Sequence, residues 1–208
     1  MRAALVLALL LVACKQRPTF RDAAPRPTAG SLRGTYALTY YWVSTELDEP
    51  PAAATTTIYD KTCAPLAKVS AQFAAELANA GSGKLADDRM ITVDGDCNCK
   101  RSPCFRVSDE PWGVGAGNRP LVPFRSLAVD RSLIPIGTAL WVEQLDGIDI
   151  PGTFPTLHDG CVVADDIGGR ITGERIDWFV ARKPYYAELD QALHLTQVNV
   201  FDGGARCH

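Results

Sequence analysis

The sequence predicts a mainly β protein, a barrel or sandwich of short strands, and three observations carry that expectation. From Ser126 onward, five short runs rich in β-branched and apolar residues are separated by Pro135, Gly137, Pro151 and the pair Gly168, Gly169. Only one stretch spaces its apolar residues as a helix does. The 208 residues, 47% of them apolar and 22% charged, suit one globular domain and exclude a disordered or collagen-like chain.

Taken in order, Thr35–Val43 (TYALTYYWV) combines β-branched and aromatic residues and reads as the first strand. Pro50, Pro51 and three alanines connect it to a second strand over Thr55–Tyr59. Leu66, Val69, Phe73 and Leu77 recur at steps of three and four before Gly81, which predicts the one substantial helix. Met90–Val93 and Cys104–Val107 read as strands around a cysteine-rich loop, and a glycine-rich segment, Trp112–Asn118 (WGVGAGN), follows. The remaining strands are expected over Ser126–Val129, Ala139–Leu145, Gly160–Ala164, Arg175–Val180 and Gln197–Phe201. Glu188 and Asp190 read as a solvated face.

Residues 1–13 have a positively charged start and an apolar run too short to span a bilayer, the pattern of a secretory signal. Leu11, Val12, Ala13 and Cys14 resemble a bacterial lipobox, in which Cys14 is lipidated and becomes the mature N-terminus; Lys15 after it resembles an outer-membrane address. Setting Cys14 aside leaves Cys63, Cys97, Cys99, Cys104, Cys161 and Cys207, an even six that predicts three disulfides in an oxidising compartment. Their pairing stays open among the 15 possibilities. Zinc binding by Cys97, Cys99 and Cys104 with His158 or His194 is the alternative, but the C-x-C-x4-C spacing matches no standard finger. A globular body is expected over residues 34–208.

Charge divides the chain in two. Residues 15–33 carry five basic side chains against Asp22 alone and read, with their prolines, as a basic tether beside anionic headgroups. From Gly34 onward, 15 basic and 23 acidic residues leave a net charge of −8, which argues against a nucleic-acid partner. The sequence has no G-x-S-x-G elbow, H-E-x-x-H helix or complete phosphate-binding loop, and its three histidines leave little for a His-based triad or metal site. No cofactor or metal is expected.

The chemically suggestive feature is a set of aspartates at strand ends: Asp130 in LAVD, Asp165 and Asp166 in VVADD, and Asp177 in RIDWF. A charge inside an apolar strand is costly unless it has a partner or a task, although a single strand-end aspartate is often a turn-former. The stretch Pro123–Phe179, with AVD-x3-IP-x-GT and ADD-x-GG-x-I-x-G-x2-ID, closely resembles the 3D domain, named for three aspartates. The resemblance implies a six-stranded double-psi β-barrel with few short helices, its core at about residues 112–202, as in murein lytic transglycosylases of the A type. It makes Asp130, Asp166 and Asp177 the family's three aspartates and Asp177 the catalytic acid. It also implies peptidoglycan glycan strands as partner and the cell envelope as location. The chain is short for such an enzyme, so the larger second domain that completes the family's sugar groove is expected to be lacking.

A transglycosylase of this kind cleaves the β-1,4 bond between N-acetylmuramic acid and N-acetylglucosamine without water, leaving a 1,6-anhydro product. One carboxyl suffices if its pKa is raised by an apolar wall or a second carboxylate, and Ile176, Trp178 and Asp166 are candidates for that environment. Asp165, Gly168, Gly169 and His158 are expected to contact substrate, with a disulfide at Cys161 holding the loop beside His158 over the barrel mouth. Tyr40, Tyr41, Trp42 and Trp112 are candidate sugar-stacking surfaces, with core packing as the alternative. The rival functional reading is a non-catalytic glycan-binding barrel of expansin-like type.

Overall fold

The computed structural model describes residues 27–49, 54–152 and 156–207. Cys14, the signal-like segment and the greater part of the tether lie outside them. The strands are β1 (Leu32–Tyr41), β2 (Ser44–Thr45), β3 (Thr55–Tyr59), β4 (Pro65–Ser70), β5 (Ser82–Lys84), β6 (Met90–Gly95), β7 (Cys104–Ser108), β8 (Ser126–Val129), β9 (Ala139–Asp149), β10 (Leu157–Asp166), β11 (Arg175–Phe179) and β12 (Gln197–Asp202). Two α-helices, α1 (Ala71–Ala80) and α2 (Lys183–Leu193), accompany them.

Six strands close into a double-psi barrel in the order β1-β11-β8-β10-β9-β12. Two neighbouring pairs, β1 with β11 and β8 with β10, run parallel; the other four are antiparallel. The alternation that predicted the strands is the alternation that fills the barrel. Leu127 and Val129, Ile176 and Trp178, and Val198 and Val200 point inward on successive strands into one apolar core. Trp178 sits within it, fully buried, edge-on to Phe124 and His158 at ring-centroid distances of 6.0 and 5.5 Å. The barrel is not contained in the stretch that resembles the family, because β1, 80 or more residues upstream, closes it between β11 and β12.

The chain between β1 and β8 builds a second, smaller lobe. A four-stranded sheet (β2-β5-β6-β7) and the β3-β4 hairpin pack with α1 around Phe73, Leu77, Ile91 and Phe105. This lobe, with its own apolar core, stands beside the barrel. Val43, Met90, Phe179 and Ala181 form an apolar cluster that joins the lobe to the barrel.

Two helix expectations need correction. Leu66 and Val69 belong to β4, which pairs in antiparallel register with β3, and the helix starts only after Ser70, whose hydroxyl accepts from the Phe73 amide at 2.9 Å. Gly81 does end it, at φ +83°. A second helix, α2, follows β11 with Pro184 in its first turn; Tyr185, Leu189 and Leu193, each four residues apart, pack on the barrel. Glu188 on α2 is exposed as expected.

The six paired cysteines form Cys63–Cys99, Cys97–Cys104 and Cys161–Cys207. The clustered thiols expected for either zinc or disulfides are thus consumed in disulfides. Cys161–Cys207 ties β10 to the C-terminal turn across 46 residues of sequence. Replacing both cysteines with serine should lower unfolding stability by about 2–4 kcal/mol in urea titration, since a loop of this length is left unrestrained in the unfolded chain.

Candidate active site

Register places two carboxyls in one row. Asp166 of β10 pairs with Ala128 of β8, and Asp177 of β11 pairs with the same Ala128 from the other side. Thr39 of β1 opposes Asp177 and extends the row. Two strand spacings, about 10 Å, separate the Asp166 and Asp177 backbones, and only a methyl group stands between them. Asp166 reaches this row through a β-bulge: Ala164 pairs with Leu127 and Asp166 with Ala128, so Asp165 is the extra residue. Without the bulge, strict alternation from the inward Ala164 would give Asp165 that place in the row.

Asp177 sits between inward-facing Ile176 and Trp178 and points to the outer face of the barrel wall. The next pair on that face is Tyr41 and Phe179, packed ring on ring at 5.0 Å, an apolar wall for the carboxyl. Asp177 Oδ1 is buried and has no hydrogen-bond partner. Burial therefore pushes the Asp177 pKa above the ordinary carboxylate value; Asp166 adds to the rise, while Thr39 and Arg175 oppose it. Asp166 is raised as well, chiefly by burial, against the lowering pull of the Ile167 amide at 2.8 Å and the Tyr41 hydroxyl. Asp177 opens onto a cleft of about 400 Å³ whose other walls are Thr39, Gly168, Gly169, Arg170, Ile171 and Arg175.

Other expected site residues stand around this pair in supporting positions. Asp130 accepts from the Ser132 hydroxyl (2.6 Å) and amide (2.9 Å) and from the Gly173 amide (2.8 Å), which hold its carboxyl below the ordinary range. So engaged, it is no proton donor; it fixes the Arg170–Gly173 turn that walls the cleft. Asp165 is almost fully buried and accepts from Arg119 Nε at 2.5 Å and Ser126 Oγ at 2.8 Å, so it braces the glycine-rich loop instead of meeting substrate. That loop lies so close that a Cβ on Gly115 would come within 2.4 Å of the Asp165 carbonyl oxygen.

Three expectations are corrected. His158 is buried at the far end of β10, on the order of 25 Å along the strand from Asp166. Its Nδ1 accepts from the Gly160 amide at 2.8 Å and its Nε2–H donates to the Phe124 carbonyl at 2.6 Å, which leaves a neutral ring pinning two segments. The Cys161–Cys207 disulfide lies toward that same end, away from the aspartates. Tyr41 is no stacking platform: its buried hydroxyl lies beside Asp166, whose charge, after burial itself, drives the hydroxyl's pKa up. Trp112 has Lys84 Nζ over its ring at 4.3 Å and its edge toward Phe179, so it belongs to the apolar cluster. Trp42 likewise stacks on Tyr186 at 5.0 Å, and Tyr40 packs against Trp178 and Tyr186.

Sequence reasoning missed Thr39, Arg170, Ile171, Arg175 and Arg119. Arg175 was within reach, since it lies two residues from Asp177 on one strand face. Thr39 was not, because its place opposite Asp177 depends on a pairing between distant segments.

The family model of the 3D domain matches residues 125–189, which contain all four aspartates and the walls of the cleft except Thr39. These residues, less than a third of the chain, are thus similar to a 3D domain. Around it, the fold is similar to that of Escherichia coli lytic transglycosylase MltA in an apo form, at TM-score 0.51 and 17% identity, covering 81% of this chain and 71% of that one. A second E. coli MltA structure matches at TM-score 0.50 and 18% identity, with the same coverage. The structure of E. coli MltA with bound chitohexaose matches at TM-score 0.51 and 18% identity, again over 81% and 71% of the two chains. That share exceeds the barrel and its connections, so the likeness extends from the 3D domain into the α1 lobe. Among curated proteins, none matches the chain in sequence.

The raised pKa of Asp177 has a stability consequence. A carboxyl whose folded-state pKa lies above its unfolded value contributes favourably while protonated and loses that contribution as pH rises through the folded pKa. Asp177→Asn, which cannot ionise, should therefore raise the thermal midpoint near neutral pH. The gain should shrink to nothing below about pH 4, where the unfolded carboxyl is also protonated.

Proposed function

We propose that this chain is a peptidoglycan lytic transglycosylase with Asp177 as its acid and base. The observation that carries the reading is one carboxyl, with an unpartnered buried oxygen, standing at a cleft and sharing its row with a second carboxyl. The 3D-domain match and the MltA-like fold support it.

In this reading the protonated Asp177 donates to the glycosidic oxygen as the bond from the muramyl C1 to that oxygen breaks, and positive charge develops on the ring. The resulting Asp177 carboxylate then accepts the proton of the muramyl 6-hydroxyl, whose oxygen attacks C1 to close the 1,6-anhydro ring. Proton and electron pair balance without water, and one residue serves twice because the nucleophile belongs to the substrate. Asp166 favours the proton on Asp177 before cleavage and stabilises the cationic ring during it. A two-carboxylate hydrolase would need its second carboxyl on the opposite side of the bond. Here Asp166 shares a row and a face with Asp177.

Binding without catalysis is the weaker reading, since an expansin-like barrel would offer exposed aromatic platforms. Among the described residues every tryptophan is already engaged: Trp42 by Tyr186, Trp112 by Lys84, Trp141 by Arg206 at 4.4 Å, and Trp178 by the core.

Purified sacculi digested with the protein should release 1,6-anhydro muropeptides, detected by mass spectrometry. Asp177→Asn should cut the rate by about 10²- to 10⁴-fold, the usual contribution of a positioned acid. The wild-type rate should fall as pH rises through the raised Asp177 pKa, and Asp166→Asn should move that fall to lower pH. Reducing-end products in place of anhydro ends, or an unchanged Asp177→Asn rate, would sink the proposal.

We also infer that Cys14, outside the described residues, anchors the chain by lipid to the periplasmic face of the outer membrane. The basic tether of residues 15–33 would then lie beside the headgroups. Cys14→Ser should move the protein from the membrane to the soluble fraction; an unchanged distribution would contradict the anchor.

A further inference from the structure

The Asp177 cleft holds two positive charges that proton transfer does not use. Arg170 and Arg175 both line it, both are exposed, and among the described residues neither guanidinium has an ion pair or side-chain hydrogen bond. Other arginines are engaged, Arg119 with Asp165, Arg125 with Asp159, Arg182 with Asp48 and Arg206 with Asp146, and the exposed Arg101 and Arg131 are not among the residues that line the cleft. Arg175 also works against the acid, since it favours the ionised form of Asp177. A site that needs a proton on Asp177 gains nothing from them unless they serve a substrate group.

The backbone beside them leaves room for close approach. Gly169 has open space where a side chain would stand, and the turn from Arg170 to Gly173 is pinned to Asp130 by the Gly173 amide. The arginines therefore flank a fixed, uncrowded wall within one cleft of about 400 Å³.

We propose that Arg170 and Arg175 form a carboxylate-binding subsite that selects muramyl-containing glycan over neutral chitin-type glycan. This deepens the transglycosylase reading and rests on it for the identity of the sugar. Of the two sugars in the strand, only N-acetylmuramic acid carries a lactyl ether, which ends in a free carboxylate when no stem peptide is attached. When a stem peptide is attached, that carboxyl is an amide and the peptide's own carboxylates supply the charge. Arginine forks suit either source, because planar bidentate pairing with carboxylate is what guanidinium geometry favours.

The test measures binding apart from cleavage. The full chain carrying Asp177→Asn is titrated calorimetrically with three oligosaccharides of equal length: peptide-free muramyl-containing, peptide-bearing muramyl-containing, and chitin-derived. The muramyl oligomers should bind about 10- to 100-fold more tightly than the chitin-derived one, the range expected for hydrogen bonds to a charged group. Arg170→Gln with Arg175→Gln should abolish that preference, bringing the muramyl oligomers to the affinity of the chitin-derived one. Being exposed and unpaired, these positions tolerate substitution, and an unchanged thermal midpoint checks it.

A preference confined to the peptide-free oligomer assigns the lactyl carboxylate, and one confined to the peptide-bearing oligomer assigns the stem peptide. Equal affinity for all three, no binding, or a preference that survives the arginine substitutions overturns the subsite. Anhydro product formation by the wild type is scored separately. An arginine-dependent preference without such product keeps the subsite and removes the transglycosylase reading.

Discussion

The bulge in β10 is the constraint on which the candidate site depends. It sets two consecutive carboxylates, Asp165 and Asp166, against a single step of β8 and so sends them to different tasks. One turns inward and pairs with the exposed Arg119; the other joins Ala128 and Asp177 in a row on the outer face. The arrangement costs free energy through the desolvated carboxyls of Asp166 and Asp177, and the barrel core offsets that cost. Asp165 is held by Arg119 and Ser126, and the Arg119 loop comes so close that only glycine fits at position 115. Bulge, brace and loop thus depend on one another, and Asp166 takes its position from all three.

The rest of the barrel fixes the opposite wall. Asp177 is set by the inward pull of Ile176 and Trp178 on either side of it, and its apolar surroundings come from Tyr41 and Phe179, which also seal the barrel to the α1 lobe. Desolvation at Asp177 is therefore a product of how the two parts of the chain meet. Asp130 completes the frame from below by holding the turn that carries Arg170. Of Asp130, Asp166 and Asp177, the first is held by the Ser132 and Gly173 donors, the second lies beside Tyr41, and the third faces the cleft.

Much of this was legible in the sequence and some of it could not be. The barrel strands were, because period-two alternation marks a residue's face wherever one face is buried, as with Leu127 and Val129 or Ile176 and Trp178. The apolar neighbours of Asp177 were legible for the same reason, while its reading as the acid came from the resemblance. The start of α1 was missed because Leu66 and Val69 fit both a helical spacing and a strand paired with β3, and only the partner decides. His158 looked like a site residue because of its neighbours in sequence, yet eight residues of extended strand carry it to the other end of the barrel. Tyr41 and Trp112 were read for what aromatics do in open grooves, whereas contacts with Phe179 and Lys84 from distant segments use them as walls. The disulfide pairing was closed to sequence reasoning for a combinatorial reason, and Thr39 and Arg170 for a topological one.

The central claim is that a row of carboxyls set by this bulge keeps a proton on Asp177 at a pH where an ordinary aspartate has lost it. Carboxyl carbon NMR of selectively labelled aspartate, followed through a pH titration, measures this directly. The account predicts that the Asp166 and Asp177 resonances titrate as a coupled pair with both midpoints above the ordinary aspartate value, while Asp130 titrates below it. An Asp177 midpoint at or below the ordinary value would contradict it.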